Sequence, residues 1–147
     1  MTVALIDDQA LSAVLRGATP RALRRRPLAT TGYWYVRLCQ AALIATDRPG
    51  VLAVPFAALT AARRERAVRA LVELPEEIEL PSLRRLGPTI GRLRSRHALN
   101  VLSSEALAAA ITLEAETFLS EPSPKFEAAL DAEGRPWRRL EMSGSIP

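Results

Sequence analysis

Apolar residues fall along this chain in two textures: runs of three to five that stop at polar residues, and longer stretches with helical spacing. Residues 3–6 form the first run, and Asp7-Asp8 ends it. Residues 10–16 follow with Leu11, Val14 and Leu15 on one face and Gly17 behind them, a helix by period and stop signal. Pro20 and Pro27 bracket Arg24-Arg25-Arg26, so residues 18–31 are expected to form a mobile loop or a short interrupted helix. Residues 33–46 are nearly continuous in apolar side chains and predict an interior helix, closed by a turn at residues 47–50. The four apolar residues 51–54 predict a second buried strand. Pro55 then opens a helix to about Val72, with Phe56, Leu59, Val68, Leu71 and Val72 inward.

Further on, residues 78–80 predict a short strand between Pro75 and Pro81. Leu83, Leu86, Ile90 and Leu93 space as one helical face that Gly87-Pro88 should bend or break. The apolar residues 98–102 lead into Ser103-Ser104-Glu105, read as a helix start: side-chain oxygen on free N–H groups, carboxylate near the positive end. Residues 117–119 predict a strand, 124–130 a short helix with Phe126 and Leu130 inward, 136–142 an edge strand, and 143–147 a frayed tail.

Short strands alternating with helices predict an α/β fold. It would be one three-layer domain over residues 1–142, with a short parallel sheet of four to five strands flanked by helices. Right-handed crossovers would set Asp7, Pro55 and Glu121 along one sheet edge, with Glu105 facing the same crevice. The 147 residues are enough to bury roughly 68–70% of the unfolded surface without a staple. Cys39 is the single cysteine, set in an apolar run, which points to an inert thiol in a reducing compartment, most simply the cytoplasm. The opening carries no basic stretch ahead of an apolar one, as a signal peptide would. Arg37, Gln40 and Asp47 interrupt the best membrane-span candidate, so no membrane association is expected.

The net charge of +4 is almost all arginine on the positive side, because Lys125 is the only lysine. Guanidinium forks suit phosphate, which makes Arg24, Arg25, Arg26, Arg63, Arg64 and Arg66 candidates for RNA or DNA contact; a solvated arginine-rich surface is the alternative. Tyr33-Trp34-Tyr35 would serve base stacking, the core or a protein interface. His97 is the only histidine and has no ligand-spaced partner, so zinc and Cys–His chemistry both lack parts. No glycine-rich phosphate loop is present.

Four segments together resemble the PIN domain, the fold of VapC-type ribonuclease toxins. Val3-Ala4-Leu5-Ile6-Asp7 with Ala10-Leu11 is similar to the family's opening strand and helix, and Val51-Leu52-Ala53-Val54-Pro55 to its second strand and proline. Leu102-Ser103-Ser104-Glu105-Ala106-Leu107-Ala108-Ala109-Ala110 resembles the segment where an aspartate begins an alanine-rich helix. Thr117-Phe118-Leu119-Ser120-Glu121 resembles the strand that ends near the last acid. The resemblance spans residues 3–140. It implies carboxylates holding Mg²⁺ or Mn²⁺ to activate water against an RNA phosphodiester.

Carried over by position, Asp7, Glu105 and Glu121 would be the catalytic acids and metal ligands, with Asp8 as a substitute ligand. The family's second acid would fall at Thr60 or Ala61, where none stands; Glu65 lies roughly 6–8 Å further along the helix axis. Pro122 occupies the place of the fourth acid, leaving Glu121 one residue early. The implied metal site is therefore weak or lost. The expectation is a PIN-like protein related to toxin–antitoxin ribonucleases; if active, it would be a Mg²⁺- or Mn²⁺-dependent endoribonuclease. The alternative is a non-catalytic nucleic-acid- or protein-binding module, with an antitoxin-like partner or a second copy of the chain as possible company. Taken singly, Asp7 or Asp8 is equally a helix cap, Glu105 a dipole partner and Glu121 a loop acid.

Overall fold

Strand β1 (Ala4–Ile6) is the middle strand of a five-stranded sheet, with β2 (Leu28–Ala29) and β3 (Ile78–Glu79) on one side and β4 (Glu116–Leu119) and β5 (Trp137–Arg139) on the other. Every pairing is parallel. These features come from a computed structural model that describes residues 1–44 and 49–142. The expected turn at residues 47–50 lies partly outside the described residues, as do the last residues of the helix expected over 33–46 and the tail at 143–147.

Seven α-helices cover the sheet among the described residues: α1 (Asp8–Leu15), α2 (Gly32–Leu43), α3 (Val54–Ala57), α4 (Ala61–Val72), α5 (Leu83–Arg96), α6 (Val101–Thr112) and α7 (Pro124–Ala132). The strand pleat sorts their contacts. Leu5 and Leu119 face a core with Leu86 and Leu93 of α5, the buried alanines of α6 and Phe126 of α7. Ala4, Ile6 and Phe118 face the other way, against Leu11 of α1, Leu38 of α2, Phe56 of α3 and Leu71 of α4. A sheet buried on both faces explains why its strands read as apolar runs instead of alternating. None of the described helices is long and apolar enough to cross a membrane.

Residues 51–54 do not form the second strand. The N–H groups of Ala53 and Val54 both donate to the Gly50 carbonyl at 3.1 Å, which turns the chain into α3 with Pro55 in its first turn. That position suits a residue with no N–H to give. Val51 and Val54 stay exposed. Pro55 is accordingly not a strand-end residue, and the helix expected from Pro55 to Val72 is divided into α3 and α4.

The sheet position belongs to Leu28–Ala29, inside the stretch expected to be a mobile loop, with the 3-10 turn Arg21–Leu23 before it. Thr30 then fastens the strand end, its N–H donating to the Glu79 carbonyl and its hydroxyl to the Ile6 carbonyl. Helix α5 runs through Gly87-Pro88 as one helix, so of the two expected outcomes the break does not occur. Burial of Leu86 and Leu93 against α6 outweighs the hydrogen bond that Pro88 removes, within a proline cost of about 3 kcal/mol.

Candidate functional site

Asp7 directly follows β1 and caps α1, accepting from the Ala10 N–H at 3.0 Å. β4 lies beside β1, and the chain leaving it brings the Ser120 N–H and hydroxyl to Asp7 at 2.7 and 2.8 Å. Connections from β1 go towards β2 and β3, and the return to β4 lands on the opposite side of β1. This topological switch point is where open α/β sheets form their ligand crevices. A cleft of about 700 Å³ opens there. Asp7, Asp8 and Leu119 line it beside Trp34, Arg37 and Ala41, which fall on one face of α2; Glu121, Leu102 and Phe126 also line it.

Asp7 and Glu121 thus line one cleft, and Asp8 joins them because α1 begins at that residue. Burial pushes the Asp7 carboxyl above its ordinary 3.8, opposed by the hydrogen bonds from Ala10 and Ser120 and assisted by the charge of Glu121. Asp8 is raised too, again chiefly by burial, with Arg37 pulling the other way. Its Oδ1 accepts from the Gln9 N–H, whereas its buried Oδ2 has no hydrogen-bond donor among the described residues. The Arg37 guanidinium lies 3.4 Å from that oxygen. A raised carboxyl pKa in the fold favours the protonated form, so its contribution to stability is full below the unfolded value and declines as pH rises through the folded one. Asp8→Asn should therefore flatten the fall in stability that begins as pH rises above the ordinary 3.8, as read from denaturant unfolding; an unchanged slope would contradict this assignment.

Glu105 does not line the cleft. Helix α6 starts at Val101, capped by Asn100, whose side chain accepts from the Ser103 N–H. This corrects the expected start at Ser103-Ser104 and moves Glu105 into the second turn, almost fully buried. There its two oxygens accept from the Gly32 N–H (3.2 Å) and the Tyr33 N–H (2.9 Å), the first two residues of α2. Thr31 caps the same end by accepting from the Trp34 N–H. The carboxylate thus serves the positive end of another helix.

These residues do not fit a divalent-ion centre. Mg²⁺ needs several oxygens in near-octahedral array at about 2.0–2.1 Å. Three donors already engage Asp7, α2 engages Glu105, and Arg37 supplies positive charge beside Asp8. Among the described residues, no group of three or more His, Cys, Asp or Glu side chains is arranged to hold a metal ion.

The six candidate arginines divide. Arg26 is structural: it donates to Glu116 at 2.9 Å and to the Thr2 carbonyl at 3.2 Å, and its guanidinium lies 5.0 Å from the Phe118 ring centre. Arg64 is structural as well, donating to the carbonyls of Phe56, Ala57 and Leu59 at the end of α3. Arg24, Arg25, Arg63 and Arg66 are exposed, with no carboxylate partner among the described residues. The Arg24–Arg26 loop precedes β2, and the Pro27 carbonyl accepts from Ala4 at the start of β1. It stands at the sheet edge opposite Asp7, away from the cleft.

The arginine cluster at residues 84–96, which suits phosphate by composition, lies on α5, where Arg84, Arg85, Arg92 and Arg96 are exposed while Leu86 and Leu93 are buried. Sequence reasoning missed Arg37 as a cleft residue; its signal was one arginine among the apolar positions 34, 38 and 41 of α2. His97 closes α5 and pairs with Glu133 at 2.7 Å, as a helix-end histidine. Of the aromatic triplet, Trp34 enters the core, Tyr35 donates to the Leu71 carbonyl and Tyr33 is exposed. No protein-family model matches the chain, and no curated protein matches it.

Proposed function

We propose that this chain is a PIN-like protein without a metal-dependent nuclease centre, acting as a nucleic-acid-binding module. The observation that carries the proposal is the engagement of Glu105 by α2, which withdraws one presumed metal ligand from the cleft. Support for the PIN-like kinship is positional: Asp7 after the central strand and Glu121 after its neighbour, both at the switch point. Support for nucleic acid is the exposed arginines of α5, where Arg84 and Arg92 have no carboxylate partner among the described residues, and separately, on the other face of the sheet, Arg63 and Arg66 of α4. A guanidinium without a carboxylate partner is free to displace counterions from a phosphate backbone.

The test is filter or anisotropy binding of single-stranded RNA and DNA across a salt series without divalent ions. Affinity should fall steeply with salt, and Arg84→Ala with Arg92→Ala should reduce the log–log slope by about 1.4. Arg26→Ala should leave that slope unchanged while lowering thermal stability. A flat salt series would end the nucleic-acid reading. Metal-dependent RNA cleavage that disappears in Asp7→Ala would instead favour the toxin-like ribonuclease.

A further inference from the structure

We infer that the cleft at the β1–β4 junction binds a small organic cation, an ammonium or guanidinium group on an apolar stem, with Asp8 as its counter-ion. This site lies apart from the arginine faces and does not depend on the nucleic-acid reading. Three observations carry it.

First, the Asp8 side chain is only 9% exposed, yet its Oδ2 accepts no hydrogen bond among the described residues while the residue lines the cleft. A buried carboxylate oxygen left in that state is a strong acceptor waiting for a donor. Second, Arg37 stands 3.4 Å from this oxygen without hydrogen-bonding geometry, and its own side chain is 52% exposed. The place therefore accommodates a planar cation, and Arg37 can turn towards solvent when another cation arrives. Third, the walls are apolar around the charge, including Trp34, Leu102, Leu119 and Phe126. Such walls desolvate an alkyl or aryl stem favourably but offer nothing to the water shell that Mg²⁺ retains.

Sign and size agree. Among the described residues that line the cleft, Asp7, Asp8 and Glu121 face Arg37 as the only basic side chain, a balance that repels phosphate and attracts a cation. A volume of about 700 Å³ lies within the range of small-molecule sites, roughly 300–1,000 Å³.

The full-length protein should be titrated calorimetrically with butylguanidinium and butylammonium, and in parallel with butanol, Mn²⁺ and inorganic phosphate. Saturable binding of at least one organic cation, at least tenfold tighter than butanol and competed by neither Mn²⁺ nor phosphate, is the expected result. Arg37→Ala removes the resident competitor and should tighten cation binding severalfold. Asp8→Asn should weaken it at least tenfold in protein whose circular dichroism matches the wild type. If Asp8→Asn fails to fold, the Arg37→Ala result still decides: unchanged or weaker cation binding in that variant overturns the proposal. So does Mn²⁺ displacing the organic cation, or the absence of saturable binding in both wild type and Arg37→Ala. Nucleic-acid affinity measured on Asp8→Asn should equal that of the wild type, so either reading can fail alone.

Discussion

Glu105→Ala should destabilise the fold by about 3 kcal/mol, because it removes two hydrogen bonds to a buried carboxylate and leaves the first N–H groups of α2 without acceptors. For a chain of this size the midpoint of thermal unfolding should drop by roughly 6–12 °C. Glu105→Gln keeps one carbonyl acceptor but replaces the other oxygen with a donor facing an N–H, so it should recover only part of the loss. The neighbouring residue supplies an independent check. A Cβ added at Gly32 would sit 3.1 Å from Glu105 Oε2, so an alanine there must push the bonded carboxylate aside by a few tenths of an ångström. Gly32→Ala should destabilise the wild type and do less harm once Glu105 is alanine, a coupling that a double-mutant cycle reads directly. A metal ligand predicts the reverse sign. Carboxylates gathered to bind an ion repel each other without it, and removing one stabilises the metal-free protein. Metal-free Glu105→Ala melting above the wild type would return Glu105 to the catalytic set.

The origin of this difference shows what the sequence could reveal. β1, β3, β4 and β5, together with α1, α4 and α7, announce themselves through apolar runs, spacing and stop signals that act within a few residues. β2 does not, because a two-residue strand between an arginine triplet and two threonines carries no period, and its place in the sheet is set by partners at residues 4–5 and 78–79. The run at residues 51–54 had the right composition for a strand, but its Ala53 and Val54 N–H groups close onto the Gly50 carbonyl in a turn instead of reaching the sheet. In the cleft, Asp7 and Glu121 were legible because strand ends of a parallel sheet share one edge, whereas Asp8 reaches it only because α1 begins at that residue. The role of Glu105 was not, since its partners stand 72 and 73 residues away and local sequence offers a cap as an equally good reading. The same limit hid the fates of Arg26 and Arg64: an arginine bonded to Glu116 or to α3 carbonyls looks no different in sequence from one facing solvent.

Asp7→Ala should be the other severe substitution, costing about 3 kcal/mol or more. One carboxylate joins three donors from two segments: the Ala10 N–H at the start of α1, and the Ser120 N–H and hydroxyl at the end of β4. Its loss uncaps α1 and unties the two central strands where they are adjacent. The opposing contribution is the desolvation that raises the Asp7 pKa, so part of the bonding gain is offset near neutral pH. Asp7→Asn separates these effects. It relieves the buried charge but turns an amide donor towards a Ser120 donor or the Ala10 N–H, and should therefore remain clearly less stable than the wild type. Ser120→Ala removes only the hydroxyl contact, and a loss of about 1 kcal/mol is expected. Combined with Asp7→Ala, the serine change should add little, because its partner is already gone. Full additivity of the two would mean that Asp7 and Ser120 do not support each other, and the structural role assigned to this acid would have to be given up.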